Sequence, residues 1–600
     1  MTATQIRSVS QPRTQLEILY QVAMPQPQSH LFEVTLQVKG WRPLAGNSER
    51  SPFLDLKMPV WTPGSYLVRE YARHVQDFAV EGQVWQKIAK NHWQIETADL
   101  SDITLRYRVF ANDLTVRTNH LDATHGYFNG AALFFYLPEF ENNPIKITVI
   151  PPHSDWQVAT PLPTVMGQAH TYLANDFDTL VDSPFEIGLH QLYNFEVRGK
   201  PHQLAVWGQG NVEPDRLIAD TQKVIEVEAE LFSGLPYDSY LFLLHLSAQG
   251  YGGLEHKDSC TLNYPRLGFR AEDRYQRFMQ LVAHEFFHLW NVKRIRPQAL
   301  EVFDYEGENY TPSLWFSEGT TSYYDLTIPL RAGIYGAKGF LQGLSKEITR
   351  FLTTPGRKVQ PLSESSFDAW IKLYRRDANS DNNQMSYYLK GEMVSLLLDL
   401  LIRSRHRNGR SLDDVMRQMW QQFGISETGF TPEQLEAVIT SVADVDLTEF
   451  FQRFLHTTEE LPFDEYLEPF GLRLQPEETA GKPPYLGLTV KTENGREIVK
   501  FVEMGSPAAA AGIDPDDELL AIDGLRVKAD QLGDRLKDYP PNAQIILTCF
   551  HQDELKNFTV TLTEARPTTY QLVAVSTPTS QQQANLKGWL GVAIADGNGE

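Results

Sequence analysis

The chain has 600 residues, of which 42% are hydrophobic and 22% are charged, and its formal net charge is −22 at pH 7. This length exceeds a single hydrophobic core and predicts several domains. The acidic balance disfavours nucleic acid and membranes as partners. Its two cysteines, Cys260 and Cys549, do not indicate a disulfide framework. The N-terminal stretch MTATQIRSVSQPRTQLEILY lacks a signal-peptide run, and no segment is apolar enough to span a membrane, so we expect a cytoplasmic protein.

Residues 1–195 are predicted to form an N-terminal β-rich domain. Apolar and polar residues alternate over 32–38 and 103–109, and turn residues interrupt the runs at short intervals. Alternation of this kind is typical of antiparallel strands with one buried face. We therefore expect an antiparallel β-sandwich-like fold, with residues 58–66 forming a structured loop.

A mainly helical domain is predicted over residues 196–465. Apolar residues from Leu217 to Phe232 recur at helical spacing, and residues 240–246 read as a strand that precedes a glycine-rich stretch. The further predicted helices cover 272–292, 314–331 and 387–406, and one that begins with Thr431-Pro432-Glu433 as its cap and first turn.

The C-terminal part is predicted to contain three segments. Residues 466–483 are rich in Pro and Glu and read as a linker. Short strands return over 484–575, with helical stretches around 507–511 and 529–537. Residues 576–600 contain a glutamine run and are predicted to be a tail of low complexity.

The motif His-Glu-x-x-His lies in the predicted helix at residues 284–288. Residues four apart on a helix lie on one face, so His284 and His288 can bind one ion. Glu285 lies beside them and is placed to act as a general base toward an attacking water molecule. The pattern is typical of a zinc peptidase, and we expect one Zn²⁺ per chain with one open coordination position.

A third metal ligand is expected downstream of this helix. The candidate carboxylates are Glu301, Asp304, Glu306, Glu308 and Glu318. The first four lie in a stretch that reads as a loop, whereas Glu318 begins an apolar-periodic helix. Because a helix holds a ligand more rigidly than a loop does, we predict Glu318.

Peptide hydrolysis also needs a hydrogen-bond donor for the oxyanion that develops on the substrate. A tyrosine hydroxyl is suited to this role, and we predict Tyr388, which begins the next apolar helix. Spacing alone leaves Tyr387, Tyr323 and Tyr324 as alternatives.

Several motifs together resemble the glycyl aminopeptidase family of PDZ-bearing zinc metallopeptidases, distant relatives of aminopeptidase N. The resemblance spans roughly residues 15–570 and is carried by VWTPGSY at 60–66, GGLEH at 252–256, HEFFHLWNVKRIRP, WFSEGTTSYY and YYLKG. It implies a multidomain α+β protein with a thermolysin-like catalytic domain.

The resemblance assigns GGLEH to substrate binding. It implies that Gly252 and Gly253 contact the substrate and that Glu255 binds its α-ammonium group, while the strand at 240–246 lies along the substrate backbone as an edge. It also implies that blocked N-termini are poor substrates. We expect His256 to be a structural hydrogen-bonding residue.

The relatives' motifs support Glu318 as a ligand and select Tyr388 over Tyr387. The spacing departs from theirs, because twenty-nine residues separate His288 from Glu318 where the relatives have eighteen. We place this insertion in a loop over 295–312. Arg294 and Arg296, which follow the metal helix, are expected to pair with acidic neighbours.

Residues 484–575 resemble a PDZ domain. Tyr485, Leu486, Gly487 and Leu488 would form the loop that binds a peptide's C-terminal carboxylate, and the peptide would add to the sheet as a strand. A domain that only buttresses the catalytic domain is an equal alternative.

The leading hypothesis is a zinc-dependent aminopeptidase that hydrolyses the N-terminal bond of peptides with a free N-terminus. A preference for glycine and alanine is implied by the resemblance. A zinc metalloendopeptidase is an alternative within the class, and Glu255 separates the two. A PDZ scaffold with an inactive metal site is the alternative from another class.

Overall fold

The computed structural model describes residues 16–41, 53–97 and 100–591. Its contacts divide the chain into two compact units. The described residues of the first unit are those up to 222, together with 235–289 and 303–309; the second unit holds 223–234, 290–302 and the residues from 310 onward. The chain is thus a multidomain α+β protein. The first fifteen residues of the predicted N-terminal domain and residues 592–600 of the predicted tail lie outside the described residues.

The first unit contains most of the strands. They are β1 (Glu17–Ala23), β2 (Leu31–Lys39), β3 (Phe53–Lys57), β4 (Val75–Val80), β5 (Trp85–Ala89), β6 (His92–Glu96), β7 (Asp102–Phe110), β8 (His120–Leu121), β9 (His125–Phe128), β10 (Ile145–Ile150), β11 (Gln157–Ala159), β12 (Thr171–Ala174), β13 (Phe185–Gly188), β14 (Gln191–Val197), β15 (Lys200–Trp207), β16 (Tyr240–Ser247), β17 (Gly252–Glu255) and β18 (Ser259–Pro265). Its helices are α1 (Phe177–Val181), α2 (Pro214–Leu231) as far as Gln222, and α3 (Glu272–Phe287).

The N-terminal strands form three sheets. Their orders are β12-β10-β1-β2-β7-β4, β11-β13-β9-β8 and β3-β6-β5. The alternation predicted at 32–38 and 103–109 is confirmed, since β2 and β7 bury every second side chain and pair antiparallel. The expectation of purely antiparallel pairing is wrong at one place, because β1 and β10 run parallel. These strands are joined across a long connection rather than by a hairpin, and such a connection permits parallel pairing.

A five-stranded sheet of order β14-β15-β16-β18-β17 carries helix α3 on one face. Phe286 of α3 packs edge-on against Tyr240, at 5.0 Å between ring centroids, and stacks near Phe242 at 5.8 Å. The predicted strand at 240–246 is confirmed, but its predicted edge position is wrong. β16 lies inside the sheet between β15 and β18, and β17 is the outer strand. The glycine-rich stretch itself therefore supplies the edge.

The second unit is mainly helical. Its helices are the remainder of α2, then α4 (Thr321–Arg331), α5 (Ala337–Thr353), α6 (Leu362–Phe367), α7 (Ser380–Asn383), α8 (Tyr387–His406), α9 (Leu412–Met419), α10 (Pro432–Ala443), α11 (Thr448–His456), α12 (Phe463–Leu467), α13 (Pro507–Ala511), α14 (Leu532–Leu536) and α15 (Ser580–Leu590). The cap predicted at Thr431 is confirmed, since its side chain accepts a hydrogen bond from the Gln434 amide in a capping box.

The strands of the second unit lie towards its C-terminal end. They are β19 (Leu472–Pro476), β20 (Leu488–Glu493), β21 (Arg496–Val502), β22 (Glu518–Ile522), β23 (Leu525–Arg526), β24 (Gln544–His551), β25 (Glu554–Thr561) and β26 (Tyr570–Ala574). Strands β20-β21-β22-β24-β25 form one antiparallel sheet, to which β23 adds through β22. β20 is an outer strand of this sheet.

The segment predicted as a low-complexity tail contains helix α15. Thr579 caps it with Gln582 in a capping box. Trp589 is buried, and its indole donates a hydrogen bond to the Tyr323 hydroxyl at 3.0 Å. Arg403 donates to the carbonyl oxygen of Gly588 at 3.2 Å. The last described helix is thus packed into the helical core of its unit.

A search of the described residues finds no helix with both the length and the apolar character required to cross a lipid bilayer.

Candidate active site

Helix α3 positions the histidine motif. Glu272 and Asp273 lie in its first turn, where carboxylates interact favourably with the positive end of the helix dipole. The rings of His284 and His288 lie one turn apart with centroids 4.6 Å from each other. His288 is buried at the C-terminal end of the helix. The two imidazoles therefore share a face, as the motif predicts.

Glu285 is buried beneath strand β17. A Cβ added at Gly253 would collide with the carboxyl group of Glu285, so only glycine allows the strand to pass this close. Burial raises the pKa of Glu285 above its ordinary value, and the charge of Glu255 raises it further, whereas His284, His288 and Arg117 act in the opposite direction. A carboxyl group with a raised pKa in a closed environment is suited to proton transfer.

Glu255, at the end of β17, lies beside this pair. One ligand atom each from Glu255, Glu285 and His288 lies within 4.8 Å of the other two. Glu255 is 3% exposed, and its Oε1 atom has no hydrogen-bond partner among the described residues. A buried carboxylate oxygen in this state is costly unless a donor arrives from outside.

The loop over residues 58–66 packs on Glu255. Gly64 has a φ of +84°, and a Cβ at this position would collide with the Glu255 carboxyl group. This loop is in turn held by the predicted insertion, since the Val60 amide donates to Tyr305 O at 2.9 Å and the Trp61 indole donates to Asp304 O at 2.7 Å. The sequence indicated a structured loop here, but it gave no sign of contact with Glu255.

Three carboxylates that we rejected as metal ligands have other partners. Glu306 pairs with Lys57 at 2.5 Å. Asp304 accepts the amide of Glu306 at 2.8 Å, and Glu301 accepts the amide of Gly429 at 2.9 Å. These contacts fit structural roles in the loop.

Arg117 is a charged neighbour that sequence reasoning missed. Its guanidinium donates a hydrogen bond to the carbonyl oxygen of Gly253 at 3.0 Å. Arg117 lies in an irregular segment far from every motif, so no sequence pattern could have identified it. It fixes the outer side of β17 next to Glu285.

Three further residues near the motifs lie beside the acidic groups that would hold them in structural roles. His256 lies 3.2 Å from a carboxylate oxygen of Asp182 through its Nδ1 atom. Arg296 lies 3.4 Å from one carboxylate oxygen of Glu427, and Arg294 lies 4.0 Å from the other.

In the second unit, Glu318 lies in a short π-helix over Trp315–Thr320. Such insertions into helices are frequent at functional sites. The π-helix packs closely on α8, because a Cβ added at Gly319 would lie 2.5 Å from the Cα atom of Gly391. Asn291 fixes the same segment by donating to the carbonyl oxygens of Phe316 at 2.9 Å and Ser317 at 3.3 Å.

The tyrosines that spacing left open have different surroundings. Tyr323 donates to Asp399 at 2.6 Å and Tyr324 donates to Asp413 at 2.9 Å, and both rings are buried. Tyr387 is also buried, and its hydroxyl lies 2.9 Å from that of Tyr374. Tyr388 is partly exposed. Of these four side chains, Tyr388 alone is not fully buried, although its hydroxyl also lies 3.0 Å from that of Tyr374.

The predicted carboxylate-binding loop precedes β20 in the C-terminal sheet. Gly487 has a φ of +83°, and a Cβ there would collide with Ser506. The Leu486 carbonyl accepts from the Ala508 amide at 3.0 Å, and the Gly487 carbonyl accepts from the Glu503 amide at 2.8 Å. The loop is therefore held on its carbonyl side.

Comparisons with known proteins define the class of the molecule. The family description "Peptidase M61 N-terminal domain" matches residues 19–189, and "M61 glycyl aminopeptidase" matches residues 277–394. The second match contains the segments with His284, His288, Glu318 and Tyr388. No curated protein sequence matches the chain. The chain is a metallopeptidase.

Among solved structures, the chain is similar to the aminopeptidase N family protein from Idiomarina loihiensis, at 31% identity and a TM-score of 0.88, over 96% of this chain and 100% of that one. It is also similar to an M1 zinc metallopeptidase variant from Deinococcus radiodurans bound to a Tyr-Ser-Ala substrate, at 14% identity and a TM-score of 0.46, over 75% and 96% of the two chains. Yeast LTA4 hydrolase in complex with bestatin matches at 14% identity and a TM-score of 0.43, over 76% and 71%. The chain belongs to the M61 glycyl aminopeptidase family.

Proposed function

We propose that this metallopeptidase is a zinc-dependent aminopeptidase that removes small N-terminal residues from peptides. The observation that carries the proposal is the buried carboxylate of Glu255, which lies within 4.8 Å of ligand atoms of Glu285 and His288. Its Oε1 atom lacks a hydrogen-bond donor among the described residues.

A substrate α-ammonium group meets the requirement of Glu255. Two charged partners form a short charge-assisted hydrogen bond in a site that excludes water. An internal peptide segment would present no cation there and would leave the carboxylate buried without compensation. The charge of Glu255 therefore favours an aminopeptidase over an endopeptidase.

The metal ligands in this proposal are His284, His288 and Glu318. Two imidazoles and one carboxylate are a donor set that fits catalytic zinc. Asn291, which hydrogen-bonds the residues just before Glu318, follows His288 by three positions. When bound, Zn²⁺ lowers the pKa of water to about 7 and polarises the scissile carbonyl.

The chain's own groups account for the remaining steps. Glu285 takes a proton from the attacking water and delivers it to the leaving amine. The Tyr388 hydroxyl donates a hydrogen bond to the oxyanion that develops on the substrate. Gly252 and Gly253 let the substrate backbone approach β17, while Arg117 holds the Gly253 carbonyl.

A panel of Gly- and Ala-4-nitroanilides with free or acetylated N-termini tests the proposal. We expect acetylation to lower kcat/KM by at least about 100-fold, because it removes the cation that compensates Glu255. Chelation should abolish turnover and Zn²⁺ should restore it. Larger N-terminal side chains in the same panel test the preference for small residues.

A pair of matched variants tests whether the effect of acetylation on kcat/KM depends on the carboxylate of Glu255. Glu255→Gln should lower kcat/KM for free substrates and narrow the gap to acetylated ones, while Glu306→Gln, which alters a surface pair, should do neither. Equal rates on free and acetylated peptides would exclude the aminopeptidase activity, and cleavage at internal bonds would identify an endopeptidase.

We further propose that the C-terminal sheet is a PDZ domain. Its loop over residues 485–488 would bind the C-terminus of a peptide. The positive φ of Gly487 and the outer position of β20 support strand addition beside this loop. Fluorescence anisotropy with C-terminal peptides should show binding that amidation of the terminal carboxylate abolishes. Equal binding of amidated and free peptides would favour the buttressing role.

A further inference from the structure

The first unit contains a second group of metal-ligating side chains, apart from the site above. The Nε2 atom of His125 lies 2.6 Å from one carboxylate oxygen of Glu186, and that of His245 lies 2.8 Å from the other. The three residues are on β9, β13 and β16. Each is at most 1% exposed. We propose that His125, Glu186 and His245 bind a second Zn²⁺ that stabilises the fold.

Charge supports a cation at this position. In the described part of the chain, the ion-pair partners of Glu186 are these two histidines alone. A fully buried carboxylate requires compensation. A divalent ion supplies the positive charge while both imidazoles remain neutral, which is the form that binds metals.

The fourth ligand in this proposal is His190, which follows Glu186 by four residues in the chain. It is 4% exposed, and neither ring nitrogen has a hydrogen-bond partner within the described ranges. Three histidines and one carboxylate would complete the four-coordinate shell that structural zinc sites use.

The packing around the cluster indicates a structural rather than a catalytic ion. The ring of Trp207 stacks on His125 at 4.0 Å between centroids, and the ring of Tyr127 lies edge-on to His245 at 4.7 Å. Structural zinc sites are closed to solvent, whereas catalytic ones keep an open position.

Metal binding requires only a small change in the cluster. Donor atoms bound to one tetrahedral zinc ion lie about 3.3 Å apart. The present nitrogen–oxygen distances of 2.6 and 2.8 Å would therefore lengthen by about 0.7 and 0.5 Å, respectively. Rotation of a carboxylate or imidazole side chain accommodates such a change without moving the strands.

The ion would join two sheets of the first unit. β9 and β13 belong to the sheet of order β11-β13-β9-β8, and β16 belongs to the five-stranded sheet. β16 pairs with β18, which pairs with the β17 strand that carries Glu255. The proposed ion thus stabilises the support of the active-site strand and takes no part in peptide hydrolysis.

Zinc content of the full-length protein, measured by mass spectrometry after dialysis against metal-free buffer, tests the inference. We expect two zinc ions per chain in the wild type and one in His288→Ala, which removes a catalytic ligand. His245→Gln should also contain one and should retain peptidase activity. His92→Gln alters a histidine–aspartate pair of the same unit at 2.8 Å and should retain two.

The number of zinc ions bound by the His288→Ala variant distinguishes this site from the catalytic one. One remaining ion in His288→Ala, lost in His288→Ala/His245→Gln, supports the inference whatever the enzyme's substrate is. An unchanged zinc content on replacing His245 overturns it.

Crystals of the wild-type protein give a test that needs no variant. An anomalous difference peak at the zinc edge between His125 and His245 supports the site. Its absence from crystals grown with excess Zn²⁺ shows a hydrogen-bonded triad without metal and overturns the inference.

Discussion

The first unit holds two clusters of histidine and glutamate that differ in what surrounds them. Around Glu255 and Glu285 the neighbours are glycines and an arginine, and one carboxylate oxygen lacks a partner in the described structure. Around Glu186 the neighbours are two histidines held by aromatic rings. In our proposal a substrate ammonium group supplies the missing partner in the first cluster, whereas the carboxylate of the second already lies against two imidazoles. We propose that the same residue types serve chemistry in the first cluster and stability in the second.

The largest expected effect is in the cluster of Glu255 and Glu285. Glu285→Gln should lower kcat by about 1,000-fold or more, since it removes the general base. It should leave the melting temperature unchanged or higher, because it removes a buried charge from a site built for function. Assays of kcat and thermal unfolding check both parts. Glu272→Gln, in the first turn of the same helix, is the control for kcat, which should match the wild type; it should unfold at a slightly lower temperature because it loses the ion pair with Arg216.

The opposite pattern is expected in the cluster around Glu186. Glu186→Gln should lower the free energy of unfolding of the first unit by about 3 kcal/mol, because it leaves two buried histidines without their carboxylate. Hydrogen exchange in β9, β13 and β16 measures this loss. kcat/KM should stay within about twofold of the wild type, since the two clusters have separate partners. If Glu186→Gln lowers activity but leaves hydrogen-exchange protection unchanged, the proposed difference in role between the two clusters is wrong.

Tyr388→Phe tests the role of the partly exposed tyrosine in the second unit. It should lower kcat by about 100-fold with little change in KM, because the hydroxyl stabilises charge that develops only in the transition state. Tyr387→Phe removes a buried hydroxyl that also contacts Tyr374 and should retain kcat. An equal loss in both variants would point to the tyrosine cluster as a structural unit.

A smaller effect is expected at Arg117. Arg117→Met removes the hydrogen bond to Gly253 and a positive charge near Glu285, and should lower kcat/KM by about tenfold. Arg117→Lys should restore part of the activity, which a purely steric role would not predict. Arg106→Met, which alters a surface pair with Glu81 at 2.7 Å, is the control.

Sequence patterns predicted local structure well. The i, i+4 spacing and acidic first turn of α3, the cap at Thr431 and the helix over 387–406 all depend on neighbours in sequence. Helix α15 departs from the prediction of a low-complexity tail, because a glutamine run is compatible with both a helix and a disordered segment. Thr579 and Gln582 nevertheless form a capping-box pattern that could have revealed it.

Contacts between distant segments could not be predicted. Gly64 meets Glu255 across most of the first unit's sequence, and Arg117 reaches Gly253 from a loop without a motif. The family resemblance marked the loop with Gly64 but not its contact. His125, Glu186 and His245 follow no spacing rule, because sheet pairing brings them together. Sequence periodicity indicates on which face of a strand a residue lies, but it does not indicate which other strand packs against that face.

The packing of α15 determines where the chain can be truncated without disturbing the helical region. Trp589 packs edge-on to Phe340 and Phe470 and donates a hydrogen bond to Tyr323, whose own hydroxyl reaches Asp399. A truncation that ends after β26 would expose these rings and leave the Tyr323–Asp399–Arg403 network without its indole donor. A truncated protein that contains only the helical region should therefore keep residues 580–590. If the C-terminal sheet is deleted, these residues should be fused to the end of the remaining chain.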